Sequence, residues 1–150
     1  WRAITMLELQ GNIWDYHARG HSIVITTNGA VDGGKRAIMG RGVALEAAQK
    51  YPDLPALLGQ HLRTVGNVPT YFDEYKLFTL PTKHHWVGKS DILLIQDSLR
   101  YLIDLAEAVG SWPLYMVRPG CGNGQLDWAE VKPKIASMLD DRFVVVEKSA

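Results

Sequence analysis

The 150-residue chain has a single cysteine, Cys121, so it cannot form an internal disulfide. That spacing-free cysteine use fits a reducing, cytoplasmic setting. The sequence carries no net charge: 16 basic side chains balance 16 acidic ones. No global field therefore draws it to nucleic acid or to an anionic membrane, although cations can still gather locally. No apolar run approaches the length of a membrane span, and no signal-peptide pattern opens the chain. Internal repeats, low-complexity segments and linkers are also missing. What remains is an ordinary globular composition, 47% hydrophobic and 21% charged, of a length that fits one domain over residues 1–150. Trp1 is not an initiator, and Met6 is a plausible start, so residues 1–5 read as an N-terminal extension.

Strands and helices alternate. Leu7–Leu9 reads as a short strand ending at Gly11-Asn12. Residues 22–27, "SIVITT", form a β-branched run that is apolar in its middle, as in a strand covered on both faces. A Gly-rich passage, "NGAVDGGKRAIMGRG", leads to a helix over Val43–Tyr51 that Pro52 ends. A short helix over Pro55–His61 follows. Thr70–Phe72 and Lys76–Leu80 flank Asp73-Glu74 as a hairpin. Ser90 is positioned to cap a long helix over Asp91–Val109, whose apolar residues recur at three- and four-residue steps and which Gly110 closes. A strand over 114–117 enters the loop "RPGCGNGQL". Asp127 and Glu130 have the spacing of a capping box for the next helix, in which Pro133 falls early. Residues 143–146 are a final strand. This alternation predicts an α/β layer fold with helices on both faces.

Two of these strands, at 22–27 and 114–117, each run into a Gly-rich loop that enters a helix N-terminus. Ligands of α/β sheets bind outside the carboxyl ends of strands, and a helix N-terminus offers free N–H groups to phosphate. The loops are either opposite walls of a diphosphate site or ordinary connections. Lys35, Arg36, Arg41, Lys83, Lys89 and Arg118 fall in or beside them, as a gathered anion rim or as a solvated scatter.

The stretch "PTKHHW" adds Lys83, His84, His85 and Trp86 at a strand end. Adjacent residues of an extended chain point to opposite faces, so His84 and His85 make a poor metal pair, and no metal is expected. Cys121 is either a nucleophile beside a histidine base or a small residue in a tight turn. A lysine held in a desolvated, cation-rich pocket loses basicity and becomes nucleophilic. Lys83 is therefore a nucleophile, a phosphate contact or an exposed strand end. Trp86 is a stacking surface for a base or a rim residue packed on the sheet.

From "LQGNI" through "ITTNG", "IMGRGVALEAAQKYP", "LFTLPTKHHWVGKS" and "RPGCGNGQLDWAEVKPKI", the chain resembles a macrodomain, the α/β/α module that binds ADP-ribose. "PTKHHWVGKS" and "GCGNGQLDW" carry a closer likeness to the DarG antitoxin macrodomains and the terminal ADP-ribose glycohydrolase branch. The resemblance implies a three-layer α/β/α fold with a mixed central sheet. It implies an ADP-ribosyl hydrolase that removes ADP-ribose from thymidine in DNA without a cofactor. The partners it implies are ADP-ribose, ADP-ribosylated DNA and the products of a DarT-like toxin, with the protein a monomer.

Carried over motif by motif, Asn12 and Ile13 stand where the family contacts adenine, with Asn12 replacing the usual aspartate. Asn28 matches a residue near the distal ribose. Met39, Gly40, Arg41 and Gly42 match the first phosphate loop. Pro119, Gly120, Cys121, Gly122, Asn123, Gly124 and Gln125 match the second. Thr82 adjoins Lys83, which matches the lysine proposed to attack the anomeric carbon, with His84 and His85 as proton donors or acceptors. Three departures stand out. Ile25 replaces a common asparagine. The stretch "AVDGGKRA" is an insertion that serves as a lid, as a target contact or as nothing. Gly124 takes the place of an aspartate that the terminal ADP-ribose glycohydrolase branch carries, as glycine does in DarG-like members. Two rival functions stay open: a non-catalytic ADP-ribose reader, and an ADP-ribose 1″-phosphate phosphatase.

Overall fold

A computed structural model of the chain describes residues 5–148. Most of the expected N-terminal extension, residues 1–4, lies outside the described residues. Six strands form one sheet: β1 (Leu7–Gly11), β2 (Ile23–Asn28), β3 (Tyr71–Phe72), β4 (Leu77–Lys83), β5 (Leu114–Val117) and β6 (Phe143–Lys148). Their spatial order is β1-β6-β5-β2-β4-β3. All neighbours run parallel except β3 and β4, which form the antiparallel hairpin, so the sheet is mixed.

Among the described residues five α-helices cover it: α1 (Ile13–Ala18), α2 (Gly42–Lys50), α3 (Leu54–Thr64), α4 (Ile92–Val109) and α5 (Trp128–Ile135). Side chains alternate across the strands, which is why apolar residues run continuously in the central ones. Ile23, Ile25, Leu77, Val144 and Val146 pack with α1, α2 and α3. Val24, Phe78, Leu80, Met116, Phe143 and Val145 pack with α4 and α5. The result is a three-layer α/β/α fold. None of the described helices is long and apolar enough to cross a membrane.

Two expected caps are corrected. Asp91, not Ser90, caps α4: its Oδ1 accepts from the N–H groups of Leu93 at 2.9 Å and Leu94 at 3.5 Å. The entering chain is still held as an extension of its neighbours there. Ser90 N–H donates to the Gly124 carbonyl and Asp91 N–H to the Thr82 carbonyl, each at 2.9 Å, so the helix begins one residue later. Asp127 occupies the cap position of α5, but its carboxylate makes no cap hydrogen bond; the first turn is closed by the Asp127 carbonyl, which accepts from Glu130 and Val131. Gly110 does close α4, in the left-handed conformation that favours glycine.

The insertion at 30–37 folds on itself. Asp32 Oδ1 accepts from the N–H groups of Gly34 and Arg36, and Ala37 N–H donates to the Pro55 carbonyl at the start of α3. The loop sits so tightly on α3 that a Cβ at Gly59 would collide with the Lys35 carbonyl and lie 3.0 Å from Ala37 N.

Candidate functional site

The carboxyl ends of β2, β4, β5 and β6 open into a cleft of about 800 Å³. Thr26, Thr27 and Asn28 contribute from β2, Thr82 and Lys83 from β4, Val117 from β5, and Val146, Glu147 and Lys148 from β6. The two Gly-rich loops are its opposite walls. Ile38 to Val43 form one, and Gly120 to Gly124 with Cys121 form the other. They nearly touch: a Cβ at Gly42 would come within 3.0 Å of Asn123 Nδ2. Gly42 has a φ of +57°, a conformation that suits glycine at this close approach. Gly42 is also the first residue of α2, and its cap residue Arg41 makes no side-chain cap bond. The first amides of α2 are thus free of a competing side chain and face a site suited to an anion.

Lys83 and Asn28 are register partners on β4 and β2, after a shift between Thr27 and Asn28. Lys83 Nζ donates to the Asn123 carbonyl at 3.2 Å, linking the strand end to the second loop. Its carbonyl is fixed by two donors, Gly29 N–H and Asn67 Nδ2, each at 3.1 Å. Burial, and then the Arg41 guanidinium, lower the lysine pKa below its ordinary value. Asn28 has both ends of its carboxamide engaged: Nδ2 donates to the Ile38 carbonyl and Oδ1 accepts from Ala30 N–H, each at 2.9 Å. It therefore shapes the first loop as well as lining the cleft.

A smaller recess continues from the cleft past Glu46, Val117, Val146 and Lys148 to Gly11, Asn12 and Ile13. Asn12 caps α1, its Oδ1 accepting from Trp14 N–H at 3.0 Å. Of the second loop, Pro119 and Gln125 stand off the wall while Gly120 to Gly124 line it. Cys121 Sγ donates to the Pro119 carbonyl at 3.7 Å, and burial raises its pKa, so the thiol is protonated rather than poised as a nucleophile.

Neither His84 nor His85 is on the cleft wall. His84 Nε2 pairs with Asp91 Oδ2 at 2.8 Å, a contact that lowers the Asp91 pKa. The His85 ring lies 6.0 Å from that of Trp86, which does line the cleft. Of the six cations around the loops, Arg41, Lys83 and Arg118 face the cleft, whereas Lys35, Arg36 and Lys89 do not. Arg118 is paired with Glu147 at 3.2 Å. Insertion residues 30–37 do not line it either.

Sequence reasoning missed Glu46, Glu147, Lys148 and Ser90 as wall residues. Ser90 is 7% exposed and its hydroxyl has no hydrogen-bond partner among the described residues. Its only sequence signal was that of a helix cap.

A cleft between two Gly-rich loops at the strand ends of a three-layer α/β/α domain is where such folds bind phosphorylated ligands. Compared with solved structures, the chain superposes on the macrodomain of Mycobacterium tuberculosis DarG with a TM-score of 0.76 at 20% identity, over 96% of this chain and 98% of that one. It superposes equally well, at 0.76 and 19% identity, on Thermosipho africanus DarTG in complex with ADP-ribose, over 97% of this chain and 42% of the other. In sequence it is 29% identical over 112 residues to a DNA ADP-ribosyl glycohydrolase of Thermus aquaticus; the match takes in 69% of this chain and spans 31% of that relative's length. No family model matches the chain. The fold is that of a macrodomain, and among macrodomains the chain is similar to those of DarG.

Proposed function

We propose that this protein is an ADP-ribosyl hydrolase of the DarG type, which binds ADP-ribose in the cleft and releases it from thymidine in DNA. The observation that carries the reading is Lys83: an amine of lowered basicity at the wall of a cleft whose two facing glycine loops suit a diphosphate. The names of the relatives support it from a separate side.

In this reading the diphosphate lies between Met39–Gly42 and Gly120–Gly124, where free amides and Arg41 offset its charge. Adenine extends into the recess at Asn12 and Ile13. Asn12 already uses its oxygen on Trp14, and Glu46, which borders both cavities, supplies an acceptor for the amino group. The distal ribose meets Asn28 and Lys83. Lys83 Nζ attacks the anomeric carbon as the bond to the thymine nitrogen breaks. The electron pair leaves with the base, which takes a proton from solvent at the cleft mouth. The ribose ring opens to leave an imine between Lys83 and the sugar carbon. Water then adds to that carbon, the C–N bond breaks with the electron pair returning to nitrogen, and the amine is freed.

The test is a substrate panel of ADP-ribosylated thymidine in an oligonucleotide, ADP-ribosylated protein and ADP-ribose 1″-phosphate. The proposal requires release of ADP-ribose from the first. Phosphate release from the third alone identifies a phosphatase. Tight ADP-ribose binding with no turnover identifies a reader.

A further inference from the structure

A turn of unusual composition leaves the cleft beside Lys83. It carries His84, His85, Trp86, Val87 and Lys89. Trp86 is 44% exposed and Val87 54%, yet Trp86 is also a wall of the cleft. An indole that lines the site and is also exposed to water is available to stack on part of a bound substrate.

The turn is tied at both ends. At its start, the Lys83 carbonyl is held by Gly29 and Asn67. At its finish, Asp91 caps α4 with one oxygen, takes His84 on the other, and donates its N–H to Thr82. Gly88, at a φ of +87°, makes the reversal between them. Trp86 is therefore presented at a fixed offset from Lys83, three residues along the same tethered segment.

Its charge selects the partner. The turn carries Lys89 and no carboxylate, and the carboxylate packed against it, Asp91, is already engaged by His84 and two helix amides. A lysine, Lys89, beside an exposed aromatic ring suits single-stranded nucleic acid, whose backbone is anionic and whose bases offer open faces. In a duplex those faces are stacked on each other and closed to a side chain.

Resting on the hydrolase reading above, we infer that residues 84–89 are a docking platform for single-stranded DNA, with Trp86 stacking on the base next to the modified nucleotide. The platform gives the enzyme a grip on the strand that is separate from its grip on ADP-ribose.

The test measures binding in a Lys83→Ala background, so that the conjugate stays intact whether or not the parent protein turns it over. Affinity is compared for a single-stranded oligonucleotide carrying ADP-ribosylated thymidine and for the ADP-ribosylated nucleoside alone. The oligonucleotide is expected to bind more tightly. Adding Trp86→Ala should reduce that advantage by on the order of 10- to 100-fold, while Trp86→Phe retains most of it. Annealing the complementary strand should also remove it. Lys89→Gln should lower the salt dependence of oligonucleotide binding by about one counterion. Equal losses on oligonucleotide and nucleoside would reduce Trp86 to a cleft wall and overturn the inference. So would an oligonucleotide that binds no more tightly than the nucleoside. A Trp86-dependent preference for an ADP-ribosylated peptide would assign the platform to protein instead. Failure of the hydrolase reading is seen separately, as no ADP-ribose release by the parent protein.

Discussion

Ser90 and Gly124 face each other across the floor of the cleft so closely that neither tolerates enlargement of the other. Ser90 N–H donates to the Gly124 carbonyl at 2.9 Å. A Cβ at Gly124 would clash with Ser90 Oγ and lie 3.3 Å from Ser90 Cβ. This contact explains why position 124 carries no side chain, and hence no carboxylate. Gly124→Ala is expected to destabilise the fold by about 1–3 kcal/mol through overpacking. Ser90→Gly in the same chain should recover much of that loss. Ser90→Ala alone should be neutral or stabilising by about 1 kcal/mol, because it deletes a buried hydroxyl that has no partner among the described residues. Denaturant midpoints of the single and double variants measure the coupling.

Lys83 sets a pH dependence. Its pKa is lowered by burial and by Arg41, and in the proposed mechanism the neutral amine is the reactive form. Turnover should therefore rise with pH up to that lowered pKa and then level off. Arg41→Gln removes a neighbouring positive charge, which stabilises the lysine ammonium and moves the inflection to higher pH. KM should also rise, since Arg41 lines the cleft where the diphosphate is proposed to lie, so the position of the inflection in kcat against pH is the readout.

The fold was largely legible in the sequence because β2 and β6 are β-branched runs buried over most of their length, and because α4 repeats its apolar residues at helical steps. The helix α1 was not: six residues are too few to display a period, and only Asn12 as a cap and Asp15 in the first turn marked it. Strand β4 runs on through Pro81 to Lys83 although proline lacks an N–H: β3 pairs only with Leu77 and Phe78, so beyond them one edge of β4 has no strand partner among the described residues. The glycine loops and Lys83 could be read from local motifs. Glu46, Lys148 and Ser90 could not, since only the tertiary arrangement brings a residue of α2, the end of β6 and the entry to α4 onto one wall.

The insertion loop bears on the site through α3. Alanine normally improves a helix interior over glycine by about 1 kcal/mol. At Gly59 the new methyl group would meet the Lys35 carbonyl and Ala37 N, and the collision outweighs the helical gain. Gly59→Ala should lower stability by about 1–3 kcal/mol. It should also weaken ADP-ribose binding, because Met39–Gly42 follow directly from the displaced loop. Calorimetric titration with ADP-ribose checks the second effect.

Asp91 joins two tasks that substitution can separate. Asp91→Ala loses the cap of α4 and should cost about 0.5–2 kcal/mol. Asp91→Asn keeps a capping oxygen and should retain most of the stability, while replacing the charged partner of His84 with a neutral one. Thermal or denaturant unfolding of the two variants distinguishes the cap from the ion pair.

The central claim is that Lys83 reacts at the anomeric carbon. Its most direct test is chemical trapping during turnover of an oligonucleotide bearing ADP-ribosylated thymidine. Reduction with borohydride, followed by peptide mass spectrometry, should find the sugar attached to Lys83, with no adduct and no ADP-ribose release in Lys83→Ala. Undiminished release by Lys83→Ala, or an adduct mapped to another residue, would contradict it.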